Sequence, residues 1–225
     1  MSRAIHFEKR NIQSVWWDVS IPFVSIFLAL LSGAAFLAVL GVSPIDAYTT
    51  MFQASFGDSY GMSETVVKAI PLMIAGLAVM FSFRMSIWNI GAAGQIFIGA
   101  LATTAAVRYT FVDNRFIMFW IMFAWAAVAG GLWAAMAGYL KAKWNVNEII
   151  TTLMLNYIAI HVVDYFIYGP WKDPSNLGFP MTAAFPEIAR LPLLGTTRIH
   201  LGLFIALVFS FLFWLIFRYS RWGYE

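Results

Sequence analysis

Six long apolar runs, at roughly 19–41, 65–83, 88–109, 116–140, 148–168 and 199–217, dictate what this chain can become. Each has about 18 to 25 residues, the length at which a helix crosses about 30 Å of hydrocarbon. Membrane strands would need only about 10 residues apiece and would alternate apolar with polar side chains. No such alternation is present. The pattern therefore predicts an all-α, polytopic transmembrane helical bundle of about six spans, forming a single domain over 1–225. Composition agrees, with 61% hydrophobic and 11% charged residues, where soluble domains carry about 25% charged. The first run has no small-residue cleavage site and reads as a retained span rather than a cleaved signal.

Charge distribution sets the expected orientation. With a cytoplasmic N-terminus, the inner segments hold Arg3, Lys9, Arg10, Arg84, Lys141, Lys143, Arg218 and Arg221. The outer segments hold Lys68, Arg108, Arg115, Lys172, Arg190 and Arg198. With the acids included, eight cations meet four acids inside, a net +4, and six meet seven outside, a net −1. Positive charge collects on the cytoplasmic side, so both termini are expected there. The cations form no basic tract, which argues against nucleic acid as a partner. Without cysteine, disulfides, thiolate metal sites and cysteine catalysis are excluded.

Two outer loops are long. In the first, about 42–64, Ser43-Pro44-Ile45-Asp46 reads as a turn into a short amphipathic helix. The second, about 169–198, contains Gly169-Pro170-Trp171-Lys172-Asp173-Pro174 and further prolines. It is too rich in aromatic residues and leucine for a flexible linker, and is expected to pack on the bundle or meet a partner. Trp16, Trp17, Trp120, Trp171 and Trp222 are most simply an aromatic belt.

Two polar clusters interrupt the apolar runs. In the third span, Gly91, Gln95 and Gly99 recur at i, i+4 and i+8 and share a helical face, with Asn89 placed to cap its start. The glycines suit close helix packing or a helix break, Gly94 among them. The amides of Asn89 and Gln95 equally suit a polar passage, because each offers a donor and an acceptor to a neutral solute. In the fifth span, Asn147 reads as a cap and Glu148 as a first-turn acid or an inner-gate group. Glu148, Thr152 and Asn156 also lie at i, i+4 and i+8, a polar stripe that capping does not explain. No phosphate loop, His-Glu-x-x-His or Gly-x-Ser-x-Gly motif occurs. Neither a catalytic set nor a metal set is apparent, since His6, His161 and His200 lie in three separate segments.

These residues carry a resemblance. Asn89-Ile90-Gly91-Ala92-Ala93-Gly94-Gln95 resembles the Asn-Ile-Gly-x-x-Gly-Gln signature of certain ABC importer permeases. They belong to the nucleoside and simple-sugar branch of the branched-chain-amino-acid and simple-sugar permease superfamily. Asn147-Glu148-Ile149-Ile150-Thr151-Thr152-Leu153-Met154-Leu155-Asn156-Tyr157 resembles that branch's second signature, and Gly169-Pro170-Trp171-Lys172-Asp173-Pro174 a third. Ala93 departs from the pattern, in which glutamate is frequent.

The resemblance implies a multi-pass permease subunit in the bacterial cytoplasmic (inner) membrane, importing a small polar solute such as a nucleoside or simple sugar. It would be no enzyme itself and would bind no cofactor. ATP would be hydrolysed by partner ABC ATPase subunits, with a second permease, identical or different, and an extracytoplasmic solute-binding protein completing the assembly. Asn89, Gln95, Thr152 and Asn156 would line the substrate pathway. Arg221-Trp222-Gly223-Tyr224-Glu225 looks like a segment leading into further chain, so the sequence reads as the N-terminal part of a longer permease. A stand-alone carrier or channel and a non-transporting scaffold are the competing readings.

Overall fold

The computed structural model describes residues 15–176 and 178–220. Among the described residues the chain forms seven α-helices: α1 (Val15–Val39), α2 (Pro44–Phe56), α3 (Ser59–Arg84), α4 (Ala92–Tyr109), α5 (Arg115–Trp144), α6 (Glu148–Tyr168) and α7 (Gly202–Tyr219). A 3-10 turn at Glu187–Ala189 and two isolated β-bridges complete the regular structure. Arg3, His6, Glu8, Lys9, Arg10 and the segment 221–225 lie outside the described residues, as do the side chains of Trp17 and Asp18.

Five helices, α1, α3, α5, α6 and α7, are long and apolar enough to cross a bilayer. Their large apolar side chains point outward, with Phe23 at 70%, Leu72 at 71% and Leu132 at 65% exposure. That distribution is stable only in hydrocarbon. The expected third span behaves differently. Its helix, α4, starts at Ala92 rather than near residue 88, has 18 residues, and falls outside this set of apolar spans. The reason is its surroundings: α4 packs against both α5 and α6 and buries Gly94, Ile98, Gly99 and Ala106. A helix that packs against two others along one face can carry small and polar residues there, while its Ile96 and Phe97 stay exposed.

The chain divides into two compact units, 1–62 and 63–225. In the first, Ser43 caps α2 with its side chain accepting from Asp46 N at 3.4 Å, and Pro44 supplies a pre-set first turn. Tyr48 then donates its hydroxyl to Leu30 O at 2.7 Å, tying α2 to α1.

The second unit is built on α4, α5 and α6, with small residues at their contacts. Ala106 and Ala159 are fully buried. α7 meets α3 through Phe81, whose ring lies 5.8 Å from Phe213 and 6.0 Å from Phe217. The long 169–201 connection folds onto the helix ends. Trp171 is 6% exposed, its ring 4.5 Å from Phe166, its indole N–H donating to the Tyr109 hydroxyl at 3.2 Å. Trp171 is thus a packed core residue rather than a member of a lipid-facing belt. Arg115 Nη2 holds Glu187 O at 3.0 Å, and Arg198 pairs with Glu64 at 2.8 Å.

Candidate functional site

The site is organised by a stretch of backbone that is not helical. After α3, Ser86 adopts a left-handed φ of +56° and Ile87 N donates to Ser82 O at 3.0 Å, which reverses the chain. Residues 87–90 then run without helical structure. Their amides and carbonyls lack a helical ladder, and in a bilayer such groups must find partners within the protein.

The polar stripe of α6 supplies those partners. Ile90 N donates to Thr152 Oγ1 at 3.2 Å, and Asn156 Nδ2 donates to Ile90 O at 2.8 Å. Gly94 N, an orphan donor of the first α4 turn, reaches Asn156 Oδ1 at 2.7 Å. A backbone N–H can only donate and a backbone carbonyl only accept, so these contacts fix which way the Asn156 amide faces. Thr152 is buried, and its hydroxyl also donates to Glu148 O at 2.7 Å.

Glycine makes the approach feasible. A Cβ on Gly94 would lie 2.7 Å from Asn156 Oδ1 and 3.0 Å from Asn156 Cα, and one on Gly91 would lie 3.0 Å from Thr152 Cβ. The two sequence signatures are therefore two halves of one joint. Their complementarity was not visible in the sequence, because the partners of Thr152 and Asn156 are backbone atoms.

Two expectations about the third span change in detail. Gly91 precedes the helix as its N-cap, so only Gln95 and Gly99 of the expected triplet lie on the α4 surface. Asn89 does not cap the helix directly. Its Oδ1 accepts from Gly91 N at 2.8 Å, within the turn that leads into α4, and from Gln95 Nε2 at 3.4 Å. Side chains of α6 have taken the role that a cap would play.

Asn147 is the N-cap of α6, accepting from Ile149 N at 2.9 Å and Ile150 N at 3.4 Å. Glu148 pairs with Lys141 Nζ at 2.8 Å across the α5–α6 turn. In the sequence Lys141 stands only as a topological charge. Glu148 lies seven positions further along the chain, and the left-handed Asn145 turn (φ +52°) brings the two together. In the outer loop, the Ser175 hydroxyl and amide both donate to Asp173 Oδ1 and hold that carboxyl below its ordinary range.

A cleft of about 580 Å³ lies among α3, α4 and α5. Pro71, Ala75 and Ala78 line it from α3; Gln95, Gly99 and Thr103 from α4; Phe123, Ala126, Ala127, Gly130 and Gly131 from α5. A smaller cavity of about 300 Å³ is lined by Ser82, Asn89, Gln95, Ala134, Ala137, Lys141, Glu148 and Thr152. Gln95 belongs to both, so the two adjoin at this residue. The lining residues of α5 recur every three to four positions from Phe123 to Lys141, a helical face that the spacing of alanine and glycine in the sequence also marks. Of the expected pathway residues, Asn89, Gln95 and Thr152 border these cavities, whereas Asn156 lines neither and spends its amide on the α4 backbone.

Comparison with known proteins adds the family. The model described as "Branched-chain amino acid transport system / permease component" matches residues 61–225, a range that contains the joint and both cavities. The chain belongs to this family. With five helices suited to a bilayer, this permease-family chain is an integral membrane protein.

Similar family proteins include the glucose ABC transporter permease protein of Haloferax volcanii, 33% identical over 100% of this chain and 62% of the relative. The guanosine ABC transporter permease protein of Bacillus subtilis is 35% identical over 91% of this chain and 59% of its own length. The nucleoside ABC transporter permease protein of Lactococcus lactis is 25% identical over 92% and 59%. The chain spans about three-fifths of the length of these relatives. No solved structure matches it.

Proposed function

We propose that this chain is the permease subunit, or the larger part of one, of an ATP-driven ABC importer for a small polar solute, a nucleoside or a simple sugar. The observation that carries the reading is the pair of adjoining cavities, the larger among α3, α4 and α5 and walled mostly by small residues, the smaller reaching α6, which meet at Gln95. The larger cleft has no charged residue in its wall, and a neutral amide there suits a neutral solute, because it offers hydrogen bonds without holding a charge; Lys141 and Glu148 border the smaller cavity. The similarity to permeases named for guanosine, nucleosides and glucose supports the same solute class.

In this reading the chain crosses the cytoplasmic membrane of a bacterium with both termini inside, as the charge balance favours. It hydrolyses no ATP. Partner ATPase subunits supply that energy, a second permease completes the pathway, and a solute-binding protein delivers cargo to the 169–201 side. Asn89, Gln95 and Thr152 border the route, and Lys141 with Glu148 forms its inner end. Proteoliposomes holding the full-length permease with its ATPase and binding-protein partners test this. ATP-dependent uptake of radiolabelled nucleosides or sugars is expected, and uptake of neither class would overturn the assignment.

A further inference from the structure

We propose that Gln95 Oε1 is the acceptor that reads an N–H or O–H of the solute in the α3–α4–α5 cleft, and that Asn89 is the positioning residue that turns it there. The inference rests on the transport reading and assigns the solute-recognising atom within it.

Gly91 N–H can only donate, and it lies 2.8 Å from Asn89 Oδ1. That contact fixes the oxygen of the Asn89 amide. The same oxygen can only accept, so the Gln95 atom 3.4 Å from it is the amide nitrogen. A carboxamide held through its nitrogen presents its oxygen elsewhere, and Gln95 Oε1 has no protein partner among the described residues. The side chain is half-buried and lines both cavities.

The surroundings single this atom out. Among the described residues lining the larger cleft, Gln95 and Thr103 carry the polar side chains, and the Thr103 hydroxyl already donates to Gly99 O at 3.0 Å within its own helix. The remaining wall is alanine, glycine, isoleucine, Pro71 and Phe123. One free acceptor in an apolar wall fits a solute with apolar faces and a donor on its edge. A nucleobase has that surface. A hexose, ringed by hydroxyls, has no such apolar face to set against this wall, whereas a nucleoside can lay its base there and leave its ribose hydroxyls to the polar side chains of the smaller cavity, Asn89, Lys141, Glu148 and Thr152. The joint with α6 makes Asn89 an effective anchor, since Ile90 beside it is held on both its N–H and its carbonyl.

The test uses the full-length permease with its ATPase and binding protein in proteoliposomes, comparing uptake of inosine and 1-methylinosine, which differ by one ring N–H. Wild type should prefer inosine by about fivefold, the worth of one hydrogen bond. Gln95→Met should bring the preference to about unity while 1-methylinosine still enters. Asn89→Ala should narrow it, and Asn89→Asp, which keeps an oxygen for Gly91 N–H and Gln95, should restore it. A Gln95→Met protein that keeps the full preference overturns the inference. An Asn89→Ala protein that keeps it, when Gln95→Met does not, overturns the positioning role. Uptake of hexoses but of neither nucleoside overturns the inference and leaves the importer reading standing, whereas uptake of no solute overturns both.

Discussion

Replacing Asn156 by leucine separates two roles by the sign of the effect. Asn156 is half-buried on a membrane helix. If its amide merely faced lipid or open space, leucine would be favoured there, and the variant would be more stable. In the structure that amide holds Gly94 N at 2.7 Å and Ile90 O at 2.8 Å. Leucine would leave both backbone groups without partners. The two groups are four residues apart, the spacing of a helical bond, but Ile90 lies ahead of the Gly91 N-cap and its N–H is held by Thr152, so pairing them would require that backbone to move. Two lost hydrogen bonds at about 1 kcal/mol each give about 2 kcal/mol of destabilisation. Membrane double-mutant cycles average nearer 0.6 kcal/mol per side-chain bond, which sets a floor of about 1.2 kcal/mol. The assay is equilibrium unfolding of the full-length permease in mixed detergent and SDS micelles, followed by far-UV circular dichroism. A variant as stable as wild type, or more stable, would refute the joint between α4 and α6.

Three other expectations follow from the same geometry. Gly94→Ala should cost about 1–3 kcal/mol in that assay, because its Cβ would lie 3.0 Å from the Asn156 Cα. Gly76→Ala, whose Cβ would meet nothing within 4 Å inside α3, should be neutral or stabilising by up to about 1 kcal/mol; equal effects at the two sites would sink the packing account. Lys141→Met should lower thermal stability by leaving Glu148 unpaired, and adding Glu148→Gln should recover most of the loss; a double variant no better than the single one would show that the pair is not coupled. Trp171→Ala should destabilise by about 3 kcal/mol through lost packing on Phe166 and Tyr109, and should speed proteolysis within 172–201; unchanged cleavage would place this loop free of the helix ends.

Much of the architecture is legible in the sequence because apolar run length is a direct statement about bilayer thickness. The fifth run coincides with α6 at Glu148–Tyr168, where Asn147 marks the start by its own chemistry. Boundaries drift where such a mark is weak: α3 opens at Ser59, six residues before the expected start, and α5 continues four residues further, to Trp144. The third run shows the limit of length as evidence. Residues 88–91 are apolar enough to extend a span, but their backbone is taken by Thr152 and Asn156 from 62 and 66 residues away, and no local pattern announces that. The candidate site divides the same way. Spacing brought Gln95 and Gly99 to one face, whereas the Lys141–Glu148 pair depends on a left-handed Asn145, a conformation that sequence alone does not specify.

The most direct measurement of a solute path between α3, α4 and α5 is a cysteine scan along α5. The chain contains no cysteine, so single substitutions can be read in the full-length permease once any cysteine elsewhere is removed. Each would be labelled in membranes with a water-soluble maleimide. Reaction is expected at positions 127, 130, 134 and 137, which line these two cavities, and protection by lipid is expected at the exposed positions 125, 128 and 132, which border a separate hollow of about 460 Å³ outside the proposed path. Addition of the transported nucleoside should slow labelling at 127 and 130. Labelling confined to 125, 128 and 132, or uniform along the helix, would contradict the proposed path.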